Sequence, residues 1–153
     1  MTLEGIHSEV LRLASFVGAG PVNLPTFGYS DGDGPPHVEV DACRYHYVCA
    51  ERGVENSRIT TESLDELLYH VMKDVCFSLA SDHAAANRRS GEDSRRSLFA
   101  HRLNLMEALS PEWGKRQGPE NAEPLRRRPF DDNAEPRADL LVELRNQGHS
   151  AEE

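Results

Sequence analysis

Three polar residues in alternate positions, His37, Glu39 and Asp41, are the first candidates for chemistry. Imidazole and carboxylate groups bind divalent metals, and alternate residues of a strand share one face. A metal site also needs ligands from a second element, and the pattern of the next strand predicts that His46 points to the opposite face. We therefore interpret the three residues as a solvated acidic strand face, with a small metal-dependent hydrolase as an alternative function.

The motifs that identify common enzymes are absent from the sequence. There is no Gly-x-Ser-x-Gly nucleophile elbow, no Walker A phosphate loop and no Gly-x-Gly-x-x-Gly dinucleotide motif. The histidines on predicted helices do not have the His-Glu-x-x-His spacing of zinc enzymes. The sequence therefore predicts a protein that binds something, with no catalytic residue, metal or cofactor.

The segment Glu51-Arg52-Gly53 lies at the end of the best predicted strand. Gly53 is predicted to allow a bulge or a sharp bend there. Because an arginine presents a rigid fork of donors to a carboxylate, we predict that Glu51 and Arg52 have a structural role and pair with charges on the following helices. The candidate partners of Glu51 on those helices are Arg88, Arg95 and Arg96.

Charge and cysteine content restrict the function further. The formal net charge is −9, and the acidic excess is largest in residues 1–66. This distribution argues against a nucleic-acid partner and favours a basic protein partner. The acids predicted to contact the partner are Asp31, Asp33, Glu39, Asp41 and Glu55.

Three cysteines do not make a disulfide framework, and no run of 18 apolar residues exists. We therefore predict a cytoplasmic protein without a membrane segment.

Hydrophobic periodicity predicts the elements that position these residues. A spacing of three and four predicts a first helix over residues 3–17, and alternation predicts strands near 37–41, 44–51 and 54–60. Ser63 and Glu66 form a capping-box pattern that opens a long helix. Glu92 and Asp93 are predicted to lie in the first turn of another helix, where acids suit the positive end of the helix dipole. Trp113 is predicted to close the core. The prolines after Arg116 predict little regular structure there.

The predicted fold class is α+β, with an N-terminal helix and a small antiparallel sheet packed against two or three long helices. We predict a single domain over residues 1–132. Residues 133–153 are predicted to form a short helix, near 138–147, and a frayed tail.

The order of motifs along the chain resembles a known family. Tyr47-Val48-x-x-Glu51-Arg52-Gly53 is followed by Leu67-Leu68-Tyr69, Asn87-Arg88, Asp93-x-Arg95-Arg96-x-x-Phe99, Trp113 and Pro129-Phe130-Asp131-Asp132. Together these are similar to immunity protein family sixty-three of the bacterial polymorphic toxin systems, over roughly residues 37–132.

The resemblance implies a protein that is not an enzyme and that binds and neutralises a cognate toxin domain by stoichiometric occlusion. It does not indicate which residues touch the toxin. The alternative within the class of binding proteins is an adaptor or regulatory protein with a different partner. The sequence does not distinguish these two, and it does not predict the oligomeric state.

Overall fold

A computed structural model describes residues 1–29, 36–133 and 144 of the chain. Asp31 and Asp33 lie outside the described residues. So does the helix predicted near 138–147, apart from Leu144, together with the rest of the predicted tail.

The first helix, α1, spans Leu3–Val17. The Thr2 hydroxyl accepts a hydrogen bond from the Gly5 N–H at 3.1 Å and caps its start. Gly18 ends it in the left-handed conformation, with φ of +77°, which glycine adopts without a Cβ penalty. The apolar stripe of α1 is buried against the rest of the fold through Ile6, Val10, Leu13 and Ala14.

A four-stranded sheet follows a short 3₁₀ turn, Pro21–Asn23, in the order β1-β2-β3-β4. The strands are β1 (Thr26–Phe27), β2 (His37–Val40), β3 (Tyr45–Glu51) and β4 (Val54–Thr61). The predicted antiparallel sheet is formed by β2, β3 and β4. The sheet is mixed because the two-residue β1 adds parallel to β2. The α+β prediction is confirmed.

The turn between β3 and β4 consists of Arg52 and Gly53, both with positive φ. A two-residue hairpin turn with two positive φ angles matches the twist of its strands, and glycine is the residue best suited to its second position. The bend predicted at Gly53 is therefore this turn. The hairpin also contains a bulge, where the register shifts between Cys49 and Ala50.

Three helices follow the sheet: α2 (Leu64–Ala86), α3 (Ser94–Leu109) and α4 (Pro111–Arg127). Helix α2 packs against β3 and β4, α3 packs against α2, and α4 packs against α3. Each begins with a side-chain cap, from Ser63, Asp93 and Ser110 respectively. Among the described residues, none of the helices is both long and apolar enough to cross a membrane.

Helix α4 shows that the prediction of little regular structure after Arg116 is wrong. Pro119 and Pro124 lie inside the helix, and both are exposed. Proline removes one backbone donor and disfavours a helix interior, but tertiary packing can override this local preference. The packing here comes from Trp113 and Gln117, which are buried on the other side of α4.

The core lies between the sheet, α1 and the three later helices. Its largest fully buried side chains include Tyr69, Met72 and Met106. Trp113 is 6% exposed and lies edge-on to the Tyr69 ring, with ring centroids 6.1 Å apart. The side of the sheet that faces the helices is therefore covered by the core. The predicted acids lie on the opposite side.

Candidate functional site

The outer face of the sheet, the side away from the helices, carries His37, Glu39, His46, Glu55, Arg58 and Thr60. Glu39 lies directly opposite His46 on β3, and His46 lies opposite Thr60 on β4. Residues opposite each other in a ladder share one face. The prediction that His46 points to the face opposite Glu39 is therefore wrong. Alternation within a single strand does not show which face is shared with the neighbouring strand, because the pairing register between the strands decides this.

His46, on β3, links the β2–β3 turn to β4 through its imidazole. Its Nε2 lies 2.7 Å from the Asp41 carboxylate, and its Nδ1 lies 2.9 Å from the Thr60 hydroxyl. Asp41 also accepts hydrogen bonds from the backbone N–H groups of Cys43 and Arg44 in the β2–β3 turn. The hydrogen bond with His46, together with these backbone donors, lowers the pKa of Asp41 to about 2.

Arg58 is the charged centre of the outer face. Its guanidinium binds the Glu39 carboxylate at 2.9 Å and the Glu55 carboxylate at 2.7 Å. The hydrogen bond from Arg58 holds the pKa of Glu55 below its ordinary value. The structure thus brings the three described acids of the predicted contact set, Glu39, Asp41 and Glu55, onto one surface, where each has a basic neighbour.

The candidate metal ligands are directed to separate partners. His37 Nε2 lies 3.7 Å from Glu39, which is bound by Arg58, while Asp41 faces His46. Within residues 1–29, 36–133 and 144, no group of three or more His, Cys, Asp or Glu side chains is arranged to hold a metal ion. What this arrangement offers chemically is a set of charged donors and acceptors on the outer face of the sheet.

The predicted pairing of Glu51 with Arg95 or Arg96 is wrong. Glu51 is exposed at the end of β3, while Arg95 pairs with Asp93 and Arg96 pairs with Asp132. These arginines lie in the first turns of α3, where nearer carboxylates satisfy them. The remaining arginine of the set, Arg88, lines a polar cleft of about 440 Å³ between the end of α2 and the start of α3.

A reciprocal set of contacts, here named the α3 clasp, consists of Asp93, Arg95, Arg96, Phe130 and Asp132. The Asp93 carboxylate accepts from Arg95 Nη2 at 2.8 Å and from the backbone N–H of Asp131 at 2.9 Å. The Asp132 carboxylate in turn accepts from the backbone N–H of Asp93 at 2.9 Å and from Arg96 Nε at 2.9 Å. The clasp therefore joins the start of α3 to the chain that follows α4.

Both arginines of the α3 clasp make a second type of contact. Arg95 donates to the carbonyl oxygens of Arg128 and Pro129, each at 2.8 Å. The Arg96 guanidinium lies over the Phe130 ring, 4.1 Å from its centroid. The hydrogen bonds from Arg95 hold the pKa of Asp93 far below its ordinary value. These contacts give the Asp-x-Arg-Arg and Pro-Phe-Asp-Asp motifs a structural explanation.

A second charged contact joins α2 to α4. Arg116 donates to Glu66 at 2.8 Å and lies over the buried Tyr69 ring, 3.9 Å from its centroid. Glu66 also meets His70 Nε2 at 3.0 Å. The Arg116 hydrogen bonds, and then the one with His70, lower the pKa of Glu66 to about 2. The indole N–H of Trp113 donates to Asp65 at 3.4 Å beside them.

Sequence reasoning missed Arg58, Thr60 and Arg116 as members of these clusters. Alternation along 54–60 places Arg58 and Thr60 on one face, so a signal for their shared face existed. Arg116 gave no such signal, because its partner Glu66 is 50 positions away and only the packing of α4 on α2 brings the two together.

Comparison with known proteins places the chain in a family. The model of the family described as Immunity protein 63 matches residues 41–123, more than half of the chain. No curated protein and no solved structure matches the chain. The matched region runs from the β2–β3 turn into α4 and includes β4, the α3 end of the clasp and the Glu66–Arg116 contact. On this match, the chain belongs to the Immunity protein 63 family.

Proposed function

We propose that this protein binds one cognate bacterial toxin domain and neutralises it by covering the surface that the toxin needs for its activity. The match of residues 41–123 to an immunity protein family carries the proposal. In this interpretation the protein acts by stoichiometric binding and not by catalysis. We also propose that it acts in the cytoplasm, which its three free thiols support, because a reducing compartment keeps cysteines unpaired.

The outer face of the sheet is the proposed contact surface. The opposite face is used by the core, whereas Glu39, Asp41 and Glu55 are all partly exposed. Asp31 and Asp33 belong to the same proposed set because they precede β2 in the sequence. A net charge of −9 favours encounter with a basic partner. Charged side chains that ion pairs hold in fixed positions favour binding to one specific partner.

Co-expression tests the function itself. The toxin domain encoded beside this gene is induced in a sensitive host, with and without this protein, and the two are then purified together. We expect survival and an equimolar complex only when this protein is present. Continued death of the cells, with no complex recovered, would contradict the proposed function.

Neutralising the acids of the outer face is expected to slow association with the toxin domain. The variant combines Glu39→Gln, Asp41→Asn and Glu55→Gln, since asparagine keeps the oxygen that accepts from the β2–β3 turn. We expect an association rate about tenfold lower at low salt, with a weaker dependence on salt, because steering by charge is lost. Stopped-flow or surface-plasmon kinetics measures both quantities.

The matched control removes the same number of charges from the helical side of the molecule. Its changes, Glu4→Gln, Glu112→Gln and Glu123→Gln, affect exposed residues of α1 and α4. Equal slowing by the two triple variants would show that only the net charge matters, and it would remove the outer face from the proposal.

A further inference from the structure

The two edge strands of the sheet differ in length and exposure. At one edge, β1 has two residues, whereas at the other edge β4 has eight. Residues 54–58 and 60 of β4 are exposed. Within the part of the chain that the structure describes, β4 pairs with β3 alone. One side of β4 is therefore an open edge, which we name the β4 edge.

The direction of the backbone groups in β3 follows from one hydrogen bond in the preceding turn. The Asp41 N–H donates to the Arg44 carbonyl at 3.0 Å, so this pair is hydrogen-bonded. Hydrogen-bonded and non-hydrogen-bonded pairs alternate along an antiparallel ladder. Tyr45 and Tyr47 therefore direct their backbone groups away from β2 and towards β4. A second hydrogen bond supports this assignment. The carbonyl of Val38, which lies opposite Tyr47, faces β1, so Val38 and Tyr47 are not a hydrogen-bonded pair.

The same alternation identifies the groups that face outwards from β4. Ile59 lies opposite Tyr47, and Thr61 lies opposite Tyr45, so both bond to β3. Arg58 and Thr60 lie between and beside them, so their N–H and C=O groups point away from the sheet. Outward backbone groups two residues apart match the repeat of another extended chain.

The usual protections of an edge strand are weak here. Proteins block such edges with charged side chains, especially lysine, with proline or with a bulge. The β4 sequence contains no lysine and no proline, and its two charged residues, Glu55 and Arg58, pair with each other on the outer face. The bulge leaves Asn56 as the extra residue, because Cys49 pairs with Ser57 and Ala50 with Glu55. Beyond the bulge, the segment from Ser57 to Thr61 stays in regular register with β3. About two pleat repeats of the strand therefore remain available to a partner.

We propose that the β4 edge is the docking site of one extended segment of the toxin domain, which adds to the sheet as a fifth strand. The proposal rests on the proposed function and names its mode of binding. A second copy of this chain is the less favourable occupant, because two chains of net charge −9 repel each other. Glu55 lies on β4 itself and favours a basic side chain on the segment that docks.

The substitution Thr60→Pro tests the edge directly. It removes one outward N–H without removing a β3–β4 ladder bond, and proline is tolerated on edge strands. Thr60→Val is the matched control, since it loses the same hydroxyl and its bond to His46 but keeps the N–H. We expect Thr60→Pro to weaken binding of the toxin domain by about tenfold to a hundredfold relative to Thr60→Val.

Hydrogen exchange on the unaltered protein gives a second measurement that does not depend on the folding of a variant. We expect the amides of Arg58 and Thr60 to exchange rapidly in the free protein and to be protected in the complex with an inactivated toxin domain. A complex that forms while both amides still exchange freely, or with equal affinity for the two variants, would overturn the β4 edge and leave the proposed function intact. Failure of the unaltered protein to bind the toxin domain would overturn both.

Discussion

Gly114→Ala is expected to destabilise the protein by about 2 kcal/mol, although alanine is the best helix former. Gly114 is buried in α4 where this helix crosses α3. A Cβ at this position would overlap the Glu107 side chain and lie 3.0 Å from the Glu107 Cα. Because the Cα belongs to the backbone of α3, the two helices would have to separate. Urea unfolding at neutral pH measures the change.

Gly118→Ala is the matched control, one turn further along the same helix. Outside its two chain neighbours, a Cβ at Gly118 would meet no atom within 4 Å. The better helix propensity of alanine is opposed by the contact of its Cβ with the ring of Pro119, the next residue, so we expect the free energy of unfolding to change by no more than about 1 kcal/mol in either direction. Gly114→Ala is therefore expected to cost more stability than Gly118→Ala. Equal changes for the two variants would show that α3 and α4 do not meet closely at Gly114.

Asp93→Ala is expected to cost about 2–3 kcal/mol, because one carboxylate serves three roles. Its oxygens cap α3 and bind the guanidinium of Arg95, and they also accept from the backbone N–H of Asp131. The Asp93 side chain is only 9% exposed, so its partners are not readily replaced by water. Thermal or urea unfolding gives the loss directly.

The control for this variant is Asp132→Ala, at the other carboxylate of the α3 clasp. Asp132 also binds an arginine and one backbone N–H, but its side chain is 42% exposed. Exposed ion pairs contribute little, so we expect a much smaller loss than for Asp93→Ala. Equal losses would mean that burial of Asp93 does not strengthen its contacts.

The effect of Asp93→Ala should also depend on pH. The folded state lowers the pKa of Asp93, so the carboxylate contributes stability above its unfolded pKa, near 3.9, and loses that contribution as the pH falls below it. The difference in unfolding free energy between the unaltered protein and Asp93→Ala should therefore be largest near neutral pH and should shrink in acid. A difference that stays constant from pH 7 to pH 2 would contradict this assignment.

Several elements could be predicted from the sequence because their signals are local. The limits of α1 follow from an apolar spacing of three and four that ends at a glycine, and Leu3–Val17 is the segment observed. The β2, β3 and β4 strands follow from alternation, and the cap at Ser63 follows from a side chain that bonds within its own first turn. The family could be predicted as well, because its motifs are read in order along the chain.

The tertiary structure alone decided the contacts between distant residues. Proline predicts a break in α4, yet the burial of Trp113 and Gln117 stabilises a helix there. His46 joins the face of Glu39 because the pairing register places it opposite that residue. Arg95 and Arg96 bind Asp93 and Asp132 because the chain after α4 returns to the start of α3. Periodicity reports which side of an element is apolar, whereas register and helix crossing depend on how the elements pack together, and this information is not local.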